Sequence, residues 1–327
     1  MSSQVTNATS ARSAPVIREH RIPTRNSKPY IAVEGPDRNL WFCESGASKI
    51  GCFDPRAVEF REFDLPSPDC TPIGIDVGPD GHLWFTEKTG NRVGRIGLDG
   101  TTVEFGLPTP KAGPDGIIRG PDGNMWFSAG DIDRLCRVTP NGTITEFGEG
   151  ITPGSRPLSI VIRGETLWFS EAAGGRIGRM TLDGRVVEFP IPSRDSQPRA
   201  MTCHSDSNIW FVETGANCLG RIAPDGTIVE FPVPTGNASL RGIAVGADGD
   251  LWFTENFANK IGRMAPDGTV VGEYDIPTPE SGARCITAMS DGRLFFTQYD
   301  AGLIGEIIVG RSNTDNAASM AVSSLLR

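Results

Sequence analysis

The sequence predicts an all-β fold: a seven-bladed β-propeller of four-stranded blades, its ring closed by an N-terminal strand in blade 7. Three observations predict it. The dipeptide Trp-Phe begins at Trp41, Trp84, Trp126, Trp168, Trp210 and Trp252, with Phe295-Phe296 as a seventh copy, at spacings of 43, 42, 42, 42, 42 and 43 residues. A period of that length is the mark of a propeller or a solenoid. Each period holds four β-rich runs divided by turn signals, and the last period holds only three.

The unit is clearest from Pro72 to Pro108, where GIDV, HLWFTE, RVGRI and TTVEF alternate with Pro-Asp-Gly, Gly-Asn and Asp-Gly. Short runs of this kind between such turns read as strands. After Phe296 only LIGEIIV follows, with no fourth run behind it. The missing strand stands at the other end, where VIREHRIP (16–23) matches the outer strand VEFGLP. A ring whose last blade borrows its outer strand from the N-terminus explains both facts, and a solenoid has no use for the exchange. One propeller is thus expected over residues 15–310, with a disordered tail at 1–14 and another tail at 311–327.

Composition narrows the function classes. The 327 residues carry a formal net charge of -9, with 40 glycines and 25 prolines at ordinary hydrophobicity, which speaks for many turns rather than disorder. An acidic chain is a poor partner for nucleic acid or an anionic membrane, and no apolar run approaches the ~20 residues that span a bilayer. The first twenty residues lack the apolar core of a secretory signal. The seven cysteines form no Cys-x-x-Cys pair. An odd count without a signal reads as reduced thiols in a cytoplasm, and the triplets at Asn7, Asn141 and Asn237 then read as chance matches to a glycosylation signal.

Comparing the chain with itself separates architecture from function. In a propeller the first strand of each blade lines the channel, and its start opens on the same face as the loop after strand two. The glutamate after Trp-Phe (Glu44, Glu87, Glu171, Glu213, Glu255) and the arginine of Gly-Arg (Arg95, Arg179, Arg221, Arg263) recur, so they read as packing and polar ties between blades. The second residue of strand one varies instead: Tyr30, Ile73, Asp115, Leu158, Arg199, Arg241 and Arg284. Three consecutive blades place arginine there, Arg156 stands two positions earlier in blade four, and Lys28 and Lys88 fall near the same face. Crowded guanidinium groups repel unless an anion visits, and their forks suit carboxylate or phosphate. The alternative is that they splay into solvent or pair with glutamates. Blade three departs on the same face, with Ala129 for the usual glutamate and Asp131 and Asp133 in its loop. Together with Asp115 these carboxylates suit a divalent cation or a base, or else form an acidic solvated loop.

The repeated G-P-D-G-x-L-W-F-T-E, N-x-I-G-R-I and E-F-x-L-P-T-P segments resemble the streptogramin B lyase (virginiamycin B lyase) family over residues 16–309. The resemblance implies a monomeric propeller that opens a cyclic depsipeptide by elimination at an ester bond, with magnesium. It also implies a site of two histidines, two glutamates and a tyrosine. The tyrosine matches Tyr30. The two histidine positions fall on Arg241 and Arg284, and the glutamate positions on Gly282 and Tyr299. The magnesium ligands are therefore unmatched, and metal and cofactor stay unassigned. His20 is expected in the rim strand, and His82 and His204 at the first hairpin on the opposite face, so imidazole chemistry at the channel mouth is not supported.

The expected function is a lyase-like or isomerase-like enzyme acting on a small, carboxylate-bearing compound. Arg199, Arg241 and Arg284, with Arg156 and Lys88, would bind it and stabilise an enolate-like intermediate. Tyr30 or Tyr299 would move the proton, with Asp115 as an alternative base. The competing reading is a non-catalytic propeller that binds a small anion or an acidic protein segment. True streptogramin inactivation is disfavoured by the unmatched histidines, and lactonase-type hydrolysis by the lack of metal ligands.

Overall fold

A computed structural model describes residues 14–309 of the chain. They form seven four-stranded antiparallel sheets. The expected tails fall on residues outside those described, apart from Ala14. Blade 1 runs Pro29–Glu34, Leu40–Glu44, Lys49–Asp54 and Glu59–Asp64, and blade 2 begins at Pro72–Val77. Blade 7 consists of Ala283–Ala288, Leu294–Gln298, Leu303–Ile308 and, as its outer strand, Val16–Arg21. Residues 16–21 lie antiparallel to 303–308, with Val16 opposite Ile308 and Arg21 opposite Leu303. The ring closes as the sequence predicts. The described residues contain one helical turn, Gly130–Ile132 in blade 3, and no helix among them is long and apolar enough to cross a membrane.

The repeat is legible in the packing. Trp84 is fully buried, stacked on Phe105 of its own outer strand at 5.7 Å, and covered by the Arg95 guanidinium at 5.6 Å. Its indole N–H donates to Asp80 of the Pro-Asp-Gly hairpin at 3.2 Å, satisfying the one polar group that burial would strand. Trp41, Trp126 and Trp252 repeat that bond with Asp37, Asp122 and Asp248. The glycine of Gly-Arg has a steric cause: a Cβ on Gly94 would stand 2.1 Å from the Phe85 ring.

Neighbouring blades are joined by polar latches. Arg95, Arg179 and Arg221 donate to the carbonyls of Pro140, Pro224 and Pro266 in the next blade, so these arginines are inter-blade ties. The recurrent glutamates are not. Each of Glu44, Glu87, Glu171, Glu213 and Glu255 is buried within its own blade and faces a second glutamate on the outer strand: Glu62, Glu104, Glu188, Glu230 and Glu273. The outer glutamates make the ties, since each accepts from a Ser or Thr in the loop that leaves the previous blade. Thr235 donates its amide (3.0 Å) and hydroxyl (2.6 Å) to Glu273, and Thr278 does the same to Glu19 of the N-terminal strand.

All seven cysteines lie among the described residues and all are free. Unfolded, unreduced protein is accordingly expected to titrate seven thiols with a chromogenic disulfide reagent, and a count of five or fewer would refute the reduced state.

Candidate functional site

Strand one begins with an irregularity in every blade. The pairing register shifts between its first and fourth residues, as from Pro29 to Ala32 and from Leu240 to Ile243. Such a bulge re-aims side chains, and here it turns the second residue toward the channel. The threonine of Trp-Phe-Thr-Glu pins it. Thr254 accepts from the Gly242 amide at 2.8 Å and donates to the Arg284 carbonyl of the next blade at 2.7 Å. Thr86 holds the Asp115 carbonyl at 2.6 Å and Thr297 holds that of Tyr30 at 2.7 Å. Sequence reasoning missed this positioning role, although the recurring hydroxyl in the motif was its signal.

The side chains so aimed surround a cavity of about 220 Å³, walled by Tyr30, Asp115, Leu158, Arg199, Arg241 and Arg284 from six blades. The wall also includes Ile117, Ile160, Met201, Ile243 and Ile286, apolar residues of the same first strands. Arg284 lies against two rings, with its guanidinium carbon 3.9 Å from the Tyr299 centroid and 5.2 Å from that of Tyr30. The tyrosines meet edge to face at 5.9 Å. Lys88 reaches in to donate to Asp115 at 2.9 Å. Arg156 does not join the cavity wall. It lines an adjoining groove with Asp195 and Gln197 and lies half-exposed, 3.9 Å from Asp131.

The charges are unevenly matched. The Nε of Arg199, Arg241 and Arg284 is buried in each case with no hydrogen-bond partner among the described residues. Burial, then repulsion from Arg199 and Arg284, brings Arg241 down to about 10. Burial lowers Arg199 as well, against the pull of Tyr30 and Asp115. Asp115 is 5% exposed, and burial raises its carboxyl above the usual range while Lys88 opposes the rise. Burial and the neighbouring Asp115 charge raise the Tyr30 hydroxyl. The recurrent glutamates do not saturate the arginines.

A divalent cation does not fit this site. The cavity carries three guanidinium groups and one carboxylate already held by Lys88, so a cation would meet net repulsion. Asp131 faces Arg156, and Asp133 accepts from the backbone amides of Gly154 and Arg156, which separates the blade-three acids from Asp115. Among the described residues no three acidic, thiol or imidazole groups converge as a metal site. The histidines are elsewhere. His20 contacts Glu306 at 3.2 Å in the rim strand, His82 sits on its exposed hairpin, and His204 bonds the Gly249 carbonyl.

Fold and cavity together define a seven-bladed propeller with a cationic, tyrosine-flanked channel mouth. The chain belongs to the virginiamycin B lyase family, whose model matches residues 3–240 and 203–318. It is similar to the virginiamycin B lyase of Staphylococcus aureus, at 34% identity over 90% of this chain and 100% of that one, with a TM-score of 0.86. A streptogramin B lyase structure matches equally well, at 34% identity, 92% and 99% coverage and a TM-score of 0.86. The S. aureus enzyme is also known as a catalytically inactive histidine-to-alanine variant with quinupristin. Hydrazine synthase of Kuenenia stuttgartiensis, at 15% identity and a TM-score of 0.73, shares the fold alone. No curated protein matches the sequence.

Proposed function

We propose that the protein is a lyase-like enzyme that eliminates across a carbon–oxygen bond of a small carboxylate bound at the channel mouth. The observation that supports this is one cavity holding three guanidinium groups whose buried Nε–H lacks a partner among the described residues, a buried carboxylate and a partly buried phenol. Asp115, paired with Lys88 at 2.9 Å, takes the proton from the carbon beside the substrate carboxylate. The electron pair enters an enolate-like system whose charge Arg199, Arg241 and Arg284 hold. The carbon–oxygen bond then breaks as the double bond forms, and the leaving oxygen takes a proton from Tyr30. With its hydroxyl pushed up by burial, Tyr30 is suited to act as the acid and Asp115 as the base. Tyr299, stacked on Arg284, is the alternative donor. An isomerase-like outcome shares the first step and returns the proton to another carbon. The protein works as a monomer in the cytoplasm, in keeping with its free cysteines, and its partner is the small substrate rather than nucleic acid or membrane.

The test is a panel of β-hydroxy and β-acyloxy carboxylates followed by absorbance of the conjugated alkene. Turnover is expected on a member of the panel, and Asp115→Asn should slow it about 100-fold or more, the scale of a lost general base. A streptogramin B antibiotic included in the panel is expected to remain closed, because arginine replaces imidazole at two positions. Efficient opening of that antibiotic, or turnover untouched by Asp115→Asn, would refute the mechanism. One observation favours a second reading, a non-catalytic anion-binding propeller: Lys88 already engages the cavity's single carboxylate. Binding of carboxylates without any alkene would select it.

A further inference from the structure

We infer that the ligand of this cavity is a small dicarboxylate, a deeper statement that rests on the anion-binding part of the reading above. Donor arithmetic carries it. Arg199, Arg241 and Arg284 come from three consecutive blades, line one cavity and each keep a buried Nε–H without an acceptor among the described residues. A carboxylate has two oxygens, and a bidentate fork occupies both on a single guanidinium. One carboxylate therefore serves one arginine fully, or bridges two, and leaves the third buried and unanswered. Two carboxylates bring four oxygens to the three forks.

Charge leads to the same ligand. Asp115 is paired with Lys88 at 2.9 Å and only partly offsets Arg199, so positive charge stays in excess at the three guanidinium groups. A monoanion leaves two of them facing each other at close quarters, whereas a dianion leaves one. Arg284 is prepared for in-plane contacts in particular. Its guanidinium carbon lies 3.9 Å from the Tyr299 centroid and 5.2 Å from that of Tyr30, and a cation–π contact of this kind leaves the N–H donors available to an acceptor.

The rest of the wall separates a dicarboxylate from a compact inorganic anion. Ile117, Ile160, Ile243 and Ile286 line the same cavity as the arginines. A short methylene spacer between two carboxylates covers this apolar surface, while phosphate has nothing to set against it.

Isothermal titration of the full-length wild type at fixed ionic strength, in a non-anionic buffer, compares butyrate, succinate, glutarate and inorganic phosphate. Succinate or glutarate is expected to bind at least about 10-fold tighter than butyrate, equivalent to ~1.4 kcal/mol. Arg241→Gln should reduce that preference to about threefold or less. Arg241→Lys keeps the charge and loses the fork, and should fall between the two. A wild-type preference under tenfold overturns the dicarboxylate inference and leaves single-anion binding standing. Phosphate as the tightest ligand overturns it in favour of a phosphate site. Failure of every anion to bind overturns the anion reading itself. The wild-type ratio decides the matter even if a variant misfolds.

Discussion

Removal of residues 1–23 is expected to abolish the stable ring rather than leave a propeller with a trimmed rim. The deletion strips the outer strand from blade 7 and exposes the 303–308 edge, which carries Leu303, Ile304 and Ile307. Unpaired strand edges of that kind invite aggregation. Losses accumulate at each residue of the strand. Ile22, 3% exposed, is worth roughly 1.5–3 kcal/mol of burial. Glu306 loses both of its partners, His20 at 3.2 Å and Arg18 at 3.6 Å, and hydrogen bonds to a charged group are worth about 1.5–3 kcal/mol. Thr278 loses both bonds to Glu19, so the latch between blades 6 and 7 opens. Together these approach the ~5–15 kcal/mol that a native protein has in total. Urea denaturation and size-exclusion chromatography should find the truncated chain unfolded or aggregated, and removal of residues 1–13 alone supplies the control. A truncated ring that melts within about 5 °C of the control would show that closure does not depend on this strand.

Stability is expected to fall as pH rises from about 5 to about 9, through the five buried glutamates. Burial first, and then the facing outer glutamate, raises Glu44, Glu87, Glu171 and Glu255 from 4.5 to about 8 and Glu213 to about 9. A carboxyl whose folded pKa is raised contributes fully below its unfolded value near 4.5. That contribution is lost as pH climbs through 8 to 9, because the unfolded chain ionises first. One net proton released on unfolding gives a slope of about 1.4 kcal/mol per pH unit, and five sites should give at least that. Glu213 stands highest for a visible reason. The residue opposite it on the third strand is Cys218, where Glu44, Glu87, Glu171 and Glu255 face Lys49, Arg92, Arg176 and Lys260. Blade 7 already carries the neutral isostere at this position, the buried Gln298, so the fold accommodates glutamine there. Glu213→Gln should stabilise the protein by about 2 kcal/mol or more at pH 8 and by little at pH 5. A flat or rising stability profile in urea between pH 5 and 9, or a Glu213→Gln effect equal at both ends, would contradict the protonated pairs.

Much of the molecule was legible from residue order. Six Trp-Phe phases and one Phe-Phe set the blade count, and the absent fourth run after LIGEIIV placed residues 16–23 in blade 7, where 16–21 form the strand. The channel-facing phase brought out Tyr30, Asp115, Arg199, Arg241 and Arg284, all of which line one cavity. These features depend on local periodicity and on a ring that repeats one geometry, so position within the period reports position in space. A residue-type change at a fixed phase is then a change at a known place.

Other features rest on which side chains meet, and phase alone does not determine that. Glu213 and its equivalents looked like ties between blades. Tertiary packing instead sets each against a second glutamate in the same sheet and leaves the ties to the outer partner. Arg156 shares the face of the cluster, yet at the positive φ of 56° its side chain lies in the next groove. Asp115 looked free to act, and the fold brings Lys88 of the neighbouring blade against it. The apolar wall of Ile117, Ile160, Ile243 and Ile286 reads in sequence as ordinary strand. The sequence by itself determined the repeat, the closure and the sign of charge at the mouth, because those follow from short-range pattern. The pairing of charges, the protonation of the buried glutamates and the shape of the cavity were decided only when seven blades converged, because each depends on the distance and dielectric between residues far apart in the chain.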